Sequence, residues 1–243
     1  MRRVFVPRDR ISGDRARLAA SDLHYLRDVL RLGAGAEVEV FDGHGGAYSA
    51  RMPEGGDLLV LGPRRQSADS PARIHLGFAL ARGDRCDVVV QKATELGVAR
   101  LSPFQATRSV VRLDPSRGEA RARRWRRIAA EAARQSGRAD VPVVDAPTTL
   151  GAILADARQD ARVIVLYEGG GEPLADAVDH RVAHHLLLVG PEGGFAPEEI
   201  EACLAAGGRL ATLGPRTLRF ETAAVVAVAL VQHLVGDLAG PDV

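Results

Sequence analysis

The chain has 243 residues, 32 basic and 31 acidic side chains with 7 histidines, a formal net charge of +1 and 46% hydrophobic residues. That length holds one large α/β domain or a small domain joined to a larger one, and either buries a real core. Its two cysteines, Cys86 and Cys203, lie far apart with no CxxC spacing, so they suggest neither a disulfide framework nor a zinc site, and they suit a reducing cytoplasm.

The opening "MRRVFVPRDR" carries charge and lacks the apolar stretch and cleavage site of a secretory signal. Residues 1–63 read as short strands around one helix. "RRVFVP" and "AEVEVFDG" alternate apolar and polar positions, "DLLVLGP" is a short apolar run, and Ser21 is a candidate N-cap for "DLHYLRDVLRL", whose leucines recur at helical spacing. This predicts a small β-rich module, a barrel. The polar stretch "RRQSADSPAR", Arg64 to Arg73, reads as the linker, which sets the domains at 1–68 and 74–243.

Beyond it the rhythm changes to strand alternating with helix. "IHLGFAL", "VARLSPF", "VPVVDAP", "RVIVLYEGG", "HHLLLVGP" and "RLATLGP" read as strands, several apolar on both faces, and the longest helix runs from near Pro115 to about Gly137. That order predicts an α/β domain with a parallel sheet covered by helices. The most apolar run, "TAAVVAVALVQHLV" from Thr222, is shorter than the ~20 residues of a membrane span and reads as a buried helix, so no membrane is expected.

Charge is unevenly spread. Between Arg108 and Arg138 ten arginines face three acids, and the first 31 residues hold eight arginines against four aspartates. Two basic regions on a near-neutral chain suit an RNA-facing surface, as well as a solvated helix. "RARRWRR" sets Arg121, Arg124 and Arg127 around a tryptophan, and Lys92 in "QKATELGV" is the only lysine. With Arg2 and Arg31 these are the RNA-binding candidates.

In an open parallel sheet ligands bind beyond the carboxyl ends of the strands. Three of the last strands end in unusual loops: "LYEGGGEP", "VGPEGGF" and "LGPRTLRFETA". Glycines let main-chain groups approach a ligand, and prolines fix φ. No loop has the GxxxxGK[ST] pattern of a nucleotide triphosphate site, and no GxGxxG follows a strand. As plain structure "GPEGGFAPEEI" is a tight turn into a helix, which accounts for Pro197 to Glu199 but leaves Gly190, Glu192, Gly193 and Gly194 unexplained. His180, His184 and His185 lack carboxylate or cysteine partners at ligand spacing, so they read as surface or strand-edge histidines and no metal is expected.

Together "VGPEGGF" and "LGPRTLRFETAA" resemble the C-terminal signature of the SPOUT class of trefoil-knotted S-adenosylmethionine methyltransferases. More narrowly, with "HYLRDVLRLGAG", "FDGHGGAY", "QKATELGV" and "EAARQSGR" in family order, nearly the whole chain resembles the RsmE-type bacterial 16S ribosomal RNA (uracil-N3) methyltransferases. Pro215 and Thr217 depart from the family pattern, which has less proline and an aliphatic residue there.

The resemblance implies an N-terminal PUA-like barrel, a knotted parallel sheet, a homodimer formed around the knot, and S-adenosylmethionine bound between the three loops. By motif, Leu166, Glu168, Gly190, Glu192, Gly193, Leu213, Gly214, Leu218, Arg219, Thr222 and Ala223 are the cofactor candidates. The implied substrate is a uridine near the 3′ end of 16S rRNA in the small ribosomal subunit. Its imide nitrogen must lose a proton, and the anion spreads onto two carbonyl oxygens, where a cation stabilises it. Arg219 and Arg216 are the candidates for that cation, with ion pairing to Glu192 or Glu221 as their structural alternative; Glu221 or Glu192 is the candidate base. Two other readings stand beside this one: a non-catalytic rRNA-binding or assembly protein, and a knotted methyltransferase acting on another RNA.

Overall fold

The computed structural model describes residues 2–66, 70–111, 115–157 and 160–240. The chain divides into two compact units, Met1–Asp69 with Ala133–Val141, and Ser70–Ala132 with Pro142–Val243.

In the first unit the strands are β1 (Arg3–Phe5), β2 (Ile11–Ser12), β3 (Arg15–Arg17), β4 (Glu37–Phe41), β5 (Gly46–Arg51) and β6 (Leu58–Gln66), with helix α1 (Ala20–His24) between β3 and β4. They form a six-stranded path, β1-β4-β5-β6-β3-β2, in which β1 runs parallel to β4 and the other neighbours are antiparallel. In this β-rich module β1 and β2 are the end strands, each with one neighbour among the described residues. Val4, Ala16, Leu26, Val38, Val40, Leu59 and Leu61, from the strands and the helical segment, share one core.

Ser21 does not cap α1. Ala19 holds the N-cap position, and the Asp22 carboxylate reaches back to accept its amide at 2.9 Å, so the cap is the acidic half of a capping box. The helix then widens, with the Leu30 amide donating to the Tyr25 carbonyl, and ends at Arg31 with φ 54°. The linker is shorter than expected: Arg64 to Gln66 pair with Tyr48 to Gly46 as the end of β6, and 67–69 lie outside the described residues. Asp42 organises the turn in "FDGHGGAY". Burial raises its pKa, but amides of His44 and Gly46 and the Arg8 side chain donate to it, and the net result is a carboxyl below the usual 3.8. Ala133 and Ala139, which the boundary at 74 leaves with the second domain, pack against Phe41 and Ala47 in this unit.

The second unit contains β7 (Arg73–Ala79), α2 (Arg85–Glu95), β8 (Arg100–Gln105), α3 (Pro115–Ser136, ending in the first unit), β9 (Val143–Val144), β10 (Thr148–Thr149) and α4 (Leu150–Asp156). After these come β11 (Arg162–Leu166), β12 (Glu172–Pro173), α5 (Leu174–Ala177), β13 (His184–Val189), α6 (Pro197–Ala205), β14 (Arg209–Thr212) and α7 (Phe220–Val235). The sheet is parallel throughout, in the order β10-β8-β7-β13-β11-β14-β12 with β9 beside β8.

Both faces are covered, as the apolar strand runs require. Val163, Val165, Leu186 and Leu188 pack with Leu150 and Ile153 of α4 and Cys203 of α6. Ile164 and Leu187, turned to the other face by strand alternation, are also fully buried, and α7 packs on that sheet against β7 and β13. Each such side chain contributes about 1.5–3 kcal/mol. The C-terminal helix is not wholly buried: Phe220, Ala224, Ala227, Val228 and Val231 face inward, while Leu230 is 39% exposed. No described helix is long and apolar enough to cross a membrane.

Candidate functional site

The register of the sheet brings the three glycine-bearing loops to one edge. β11 pairs with β13 on one side, Leu166 opposite Val189, and with β14 on the other, Leu166 opposite Ala211. The three strands therefore end side by side, and beyond them lies a cleft of about 210 Å³. Of the cofactor candidates, Leu166, Glu168, Gly190, Glu192, Leu213, Gly214, Leu218 and Ala223 line it, with Arg216 and with Pro215 and Thr217. Gly193, Arg219 and Thr222 do not, nor does Glu221.

Each loop has a local reason for its residues. A Cβ on Gly190 would stand 2.9 Å from the Phe195 ring, which stacks on Phe104 at 6.3 Å between centroids. Gly194 has φ +69°, and a side chain there would meet the Glu168 carboxylate, so the first loop's acid lies directly over the second loop's turn. Gly214 (φ +100°) turns the third loop at a point open to solvent. We expect Gly190→Ala to cost about 1–3 kcal/mol, as overpacking does, through a displaced Phe195; a urea unfolding midpoint unchanged from the parent would refute this.

Below the loops, α6 is tied to the sheet by Glu199. Its two carboxylate oxygens accept from the Ala196 and Thr107 amides, each at 2.8 Å, so the helix after "VGPEGGF" is capped by an acid rather than by a hydroxyl. Arg85, in the first turn of α2, is ion-paired with Glu192. Arg108 donates to the Gly193 carbonyl at 3.2 Å. Both partners of the Arg85–Glu192 pair are partly exposed, so it adds at most about 1 kcal/mol and mainly sets where the Glu192 carboxylate points.

Neither arginine was singled out from the sequence. The loops after β7 and β8 lack the glycine and proline signal of the last three, although the rule about strand ends applies to them equally. Glu192 has its cation in Arg85, so the predicted pairing of Arg216 or Arg219 with Glu192 or Glu221 is not formed among the described residues. Arg216 is exposed on the cleft, Arg219 is the N-cap of α7, and Glu221, one residue on from Phe220 of the cleft wall, has a buried Oε2 with no hydrogen-bond partner.

The RNA-binding candidates differ in their surroundings. Lys92 is held by Glu95, Nζ 2.9 and 3.0 Å from its oxygens. Arg124 is paired with Asp87, Arg127 is exposed and Arg121 is half-buried on α3. Trp125 is not an RNA-stacking platform: it is 4% exposed, edge-on to Phe78, and donates to Asp87 at 2.9 Å. In the first unit Arg2 and Arg31 are exposed. Among the histidines His180 is exposed, but His185 is fully buried rather than a surface residue, and burial lowers its pKa. No group of three His, Cys, Asp or Glu able to hold a metal occurs among the described residues.

The chemistry of the cleft fits S-adenosylmethionine. Apolar side chains of Leu166, Leu213 and Leu218 offer a surface for an adenine ring, Glu168 and Glu192 are carboxylates suited to ribose hydroxyls or a cation, and the small residues Gly190 and Gly214 leave the wall largely main chain.

The RNA methyltransferase domain model matches residues 68–232, and the RNA methyltransferase PUA domain model matches residues 18–57. The ribosomal RNA small subunit methyltransferase E of Synechocystis is 32% identical over 96% of this chain and 77% of its own. Its counterpart from Neisseria gonorrhoeae, solved bound to S-adenosylmethionine, superposes with a TM-score of 0.87 at 30% identity, covering 98% of this chain and 99% of that one. A Legionella pneumophila methyltransferase solved with the same cofactor has a TM-score of 0.88 at 29% identity, covering 97% of this chain and 98% of its own. With both domain models in place and these relatives spanning nearly its whole length, the chain belongs to the family of RNA methyltransferases that includes the bacterial ribosomal RNA small subunit methyltransferases E.

Proposed function

We propose that this chain methylates ring nitrogen 3 of one uridine in the 16S rRNA of the small ribosomal subunit, with S-adenosylmethionine as donor. The observation that carries the reading is the cleft at the joined ends of β11, β13 and β14, whose walls suit that donor. Bound there, the donor supplies an electrophilic methyl carbon and leaves as a neutral thioether, so the leaving group needs no acid and the demand falls on the acceptor.

In this reading Leu166, Glu168, Gly190, Leu213, Gly214, Leu218 and Ala223 surround the donor, and Glu192 is steered by Arg85. Glu221 takes the imide proton. Its orphaned buried oxygen supports that choice over Glu192, whose charge Arg85 already engages. Arg216, on the cleft with no ion pair among the described residues, stabilises the two carbonyl oxygens that gain charge. Arg219, at the N-cap position of α7 with no side-chain cap hydrogen bond, takes no part in the cleft wall. The first unit and the basic face of α3 grip the RNA backbone, and a paired uridine must be unstacked to enter, at a cost of a few kcal/mol. A trefoil knot and a homodimer built around it complete the reading; the partly exposed apolar stripe of α7, including Leu230, supports the dimer. A ribosomal substrate places the work in the cytoplasm, and the transfer calls for no metal.

The test is to incubate the purified protein with radiolabelled S-adenosylmethionine and small subunits from cells lacking the modification. Label on a single uridine, at N3, is expected. Cofactor binding with neither subunits nor naked rRNA labelled would sink the substrate assignment, and absence of cofactor binding would sink the reading of the cleft.

A further inference from the structure

The carboxyl edge of the sheet carries a second concavity that the donor cleft does not use. It has a volume of about 560 Å³ and lies past the end of β7, walled by Leu80 to Gly83, the first turn of α2 and one face of α3. Strand order puts it next to the donor cleft, because β7 is the neighbour of β13 and Arg85 of α2 reaches across to Glu192.

Its charge is distributed unevenly. Arg124 and Asp87, both in the wall, neutralise each other. Cys86 is a neutral thiol, its pKa pushed up to about 11 by burial. Arg82 and Arg121 remain, with no ion pair among the described residues, against Asp84 alone. Against Gly193 stands Arg108, which spends a hydrogen bond on its carbonyl and has no carboxylate partner among the described residues. The edge is thus divided. The half over β13, β11 and β14 holds the donor cleft with its two carboxylates, and the half over β7 and β8 carries unpaired guanidinium groups.

We propose that the concavity beyond β7 holds the nucleotide flanking the target uridine, with Arg82 and Arg121 on its phosphates and Arg108 on the next phosphate along the strand. The inference rests on the rRNA methyltransferase reading and adds to it the path of the single strand. Guanidinium groups fork onto phosphate oxygens and stack on bases, and a concavity this size beside the reacting site holds a neighbouring nucleotide while the target base is turned into the cleft.

The probe is a fluorescein-labelled seven-nucleotide oligouridylate, its affinity read by anisotropy across a salt series, with S-adenosylmethionine binding followed by calorimetry. Arg82→Ala with Arg121→Ala is expected to weaken the oligonucleotide about tenfold and to flatten the slope of log affinity against log salt by about 1.4, leaving cofactor affinity unchanged. The control is Arg73→Ala, an exposed arginine at the amino end of β7 and outside the concavity, expected to change the affinity less than threefold. If removing Arg121, which is half-buried, unfolds the protein, Arg82→Glu at an exposed position carries the same prediction alone.

Parent-like oligonucleotide affinity in the Arg82 variants overturns the proposal, and so does an Arg73 variant as weak as the Arg82 variant, since the effect is then diffuse charge. The two readings fail separately. A parent that binds the oligonucleotide through Arg82 but labels no subunit rRNA loses the methylation reading and keeps the site. A parent that labels rRNA with an indifferent Arg82 loses the site alone.

Discussion

Replacing Arg216 by alanine is expected to lower kcat for methylation of small subunits by about 10²–10³-fold, with the affinity for S-adenosylmethionine within a fewfold of the parent. The size follows from the role. A donor aimed at an oxygen that gains charge only in the transition state typically contributes that much when removed. Arg216 lies on the cleft in the β14–α7 loop, with no ion pair among the described residues to hold its charge away. Arg219 occupies the N-cap position of α7 with no side-chain cap hydrogen bond and lies outside the cleft, so Arg219→Ala should lower kcat far less than Arg216→Ala does. Arg216→Lys should recover part of the rate, since charge without the planar fork meets half of the demand. In the same assay Glu221→Gln should bind the cofactor and lose the rate at neutral pH. Steady-state kinetics with calorimetric cofactor binding decides the matter. An Arg216→Ala enzyme with parental kcat would remove the arginine from the chemistry, and equal losses of rate and cofactor affinity would make it part of the donor's pocket.

The long strands of the catalytic unit were legible because burial on both faces writes a continuous apolar run, as in "RVIVL" and "HHLLLV". Of the two-residue strands, β9 lies within "VPVVDAP", whereas β10 and β12 were not legible, since so short a segment has no period and exists only through its neighbour in the sheet. Loops that use glycine and proline announced the donor cleft. Arg82, Arg85 and Arg108 gave no local signal, because what singles them out is a carboxylate, a carbonyl or a concavity reached only after folding. Trp125 is the opposite case. Its flanking arginines are conspicuous, yet Ala122, Trp125, Ala129 and Ala133 recur at helical spacing and are all buried, so the periodicity that places it in the core was present in the sequence. Ser21 likewise offered a hydroxyl near the start of α1, and the Asp22 carboxylate one residue later won the cap.

Acid should weaken the protein in a window set by histidine rather than by carboxylates. His75 on β7 is half-buried in a polar chain within the second unit. Its Nε2 lies 2.7 Å from Ser102 Oγ, Ser102 donates its single proton to Asp145, and Arg100 binds both Asp145, at 2.8 Å, and Asp156. With the serine proton committed to Asp145, His75 donates from Nε2 and is neutral. Burial, and then the charge of Arg100, lower its pKa from 6.5 to about 4, more than Asp145 and Asp156 raise it. Between pH 6.5 and 4 the unfolded chain binds a proton at this position that the folded chain refuses, so stability falls as pH drops through that range and is level above it. A shift of that size corresponds to about 2–3 kcal/mol after allowance for partial relaxation. His185, also lowered by burial, adds in the same direction, whereas a carboxyl such as Asp42, whose folded pKa lies below 3.8, withdraws its contribution only at lower pH. Urea unfolding at pH 7, 6, 5 and 4 should show the decline in the parent and a shallower one in His75→Gln. Identical slopes in the two proteins would place the acid sensitivity elsewhere.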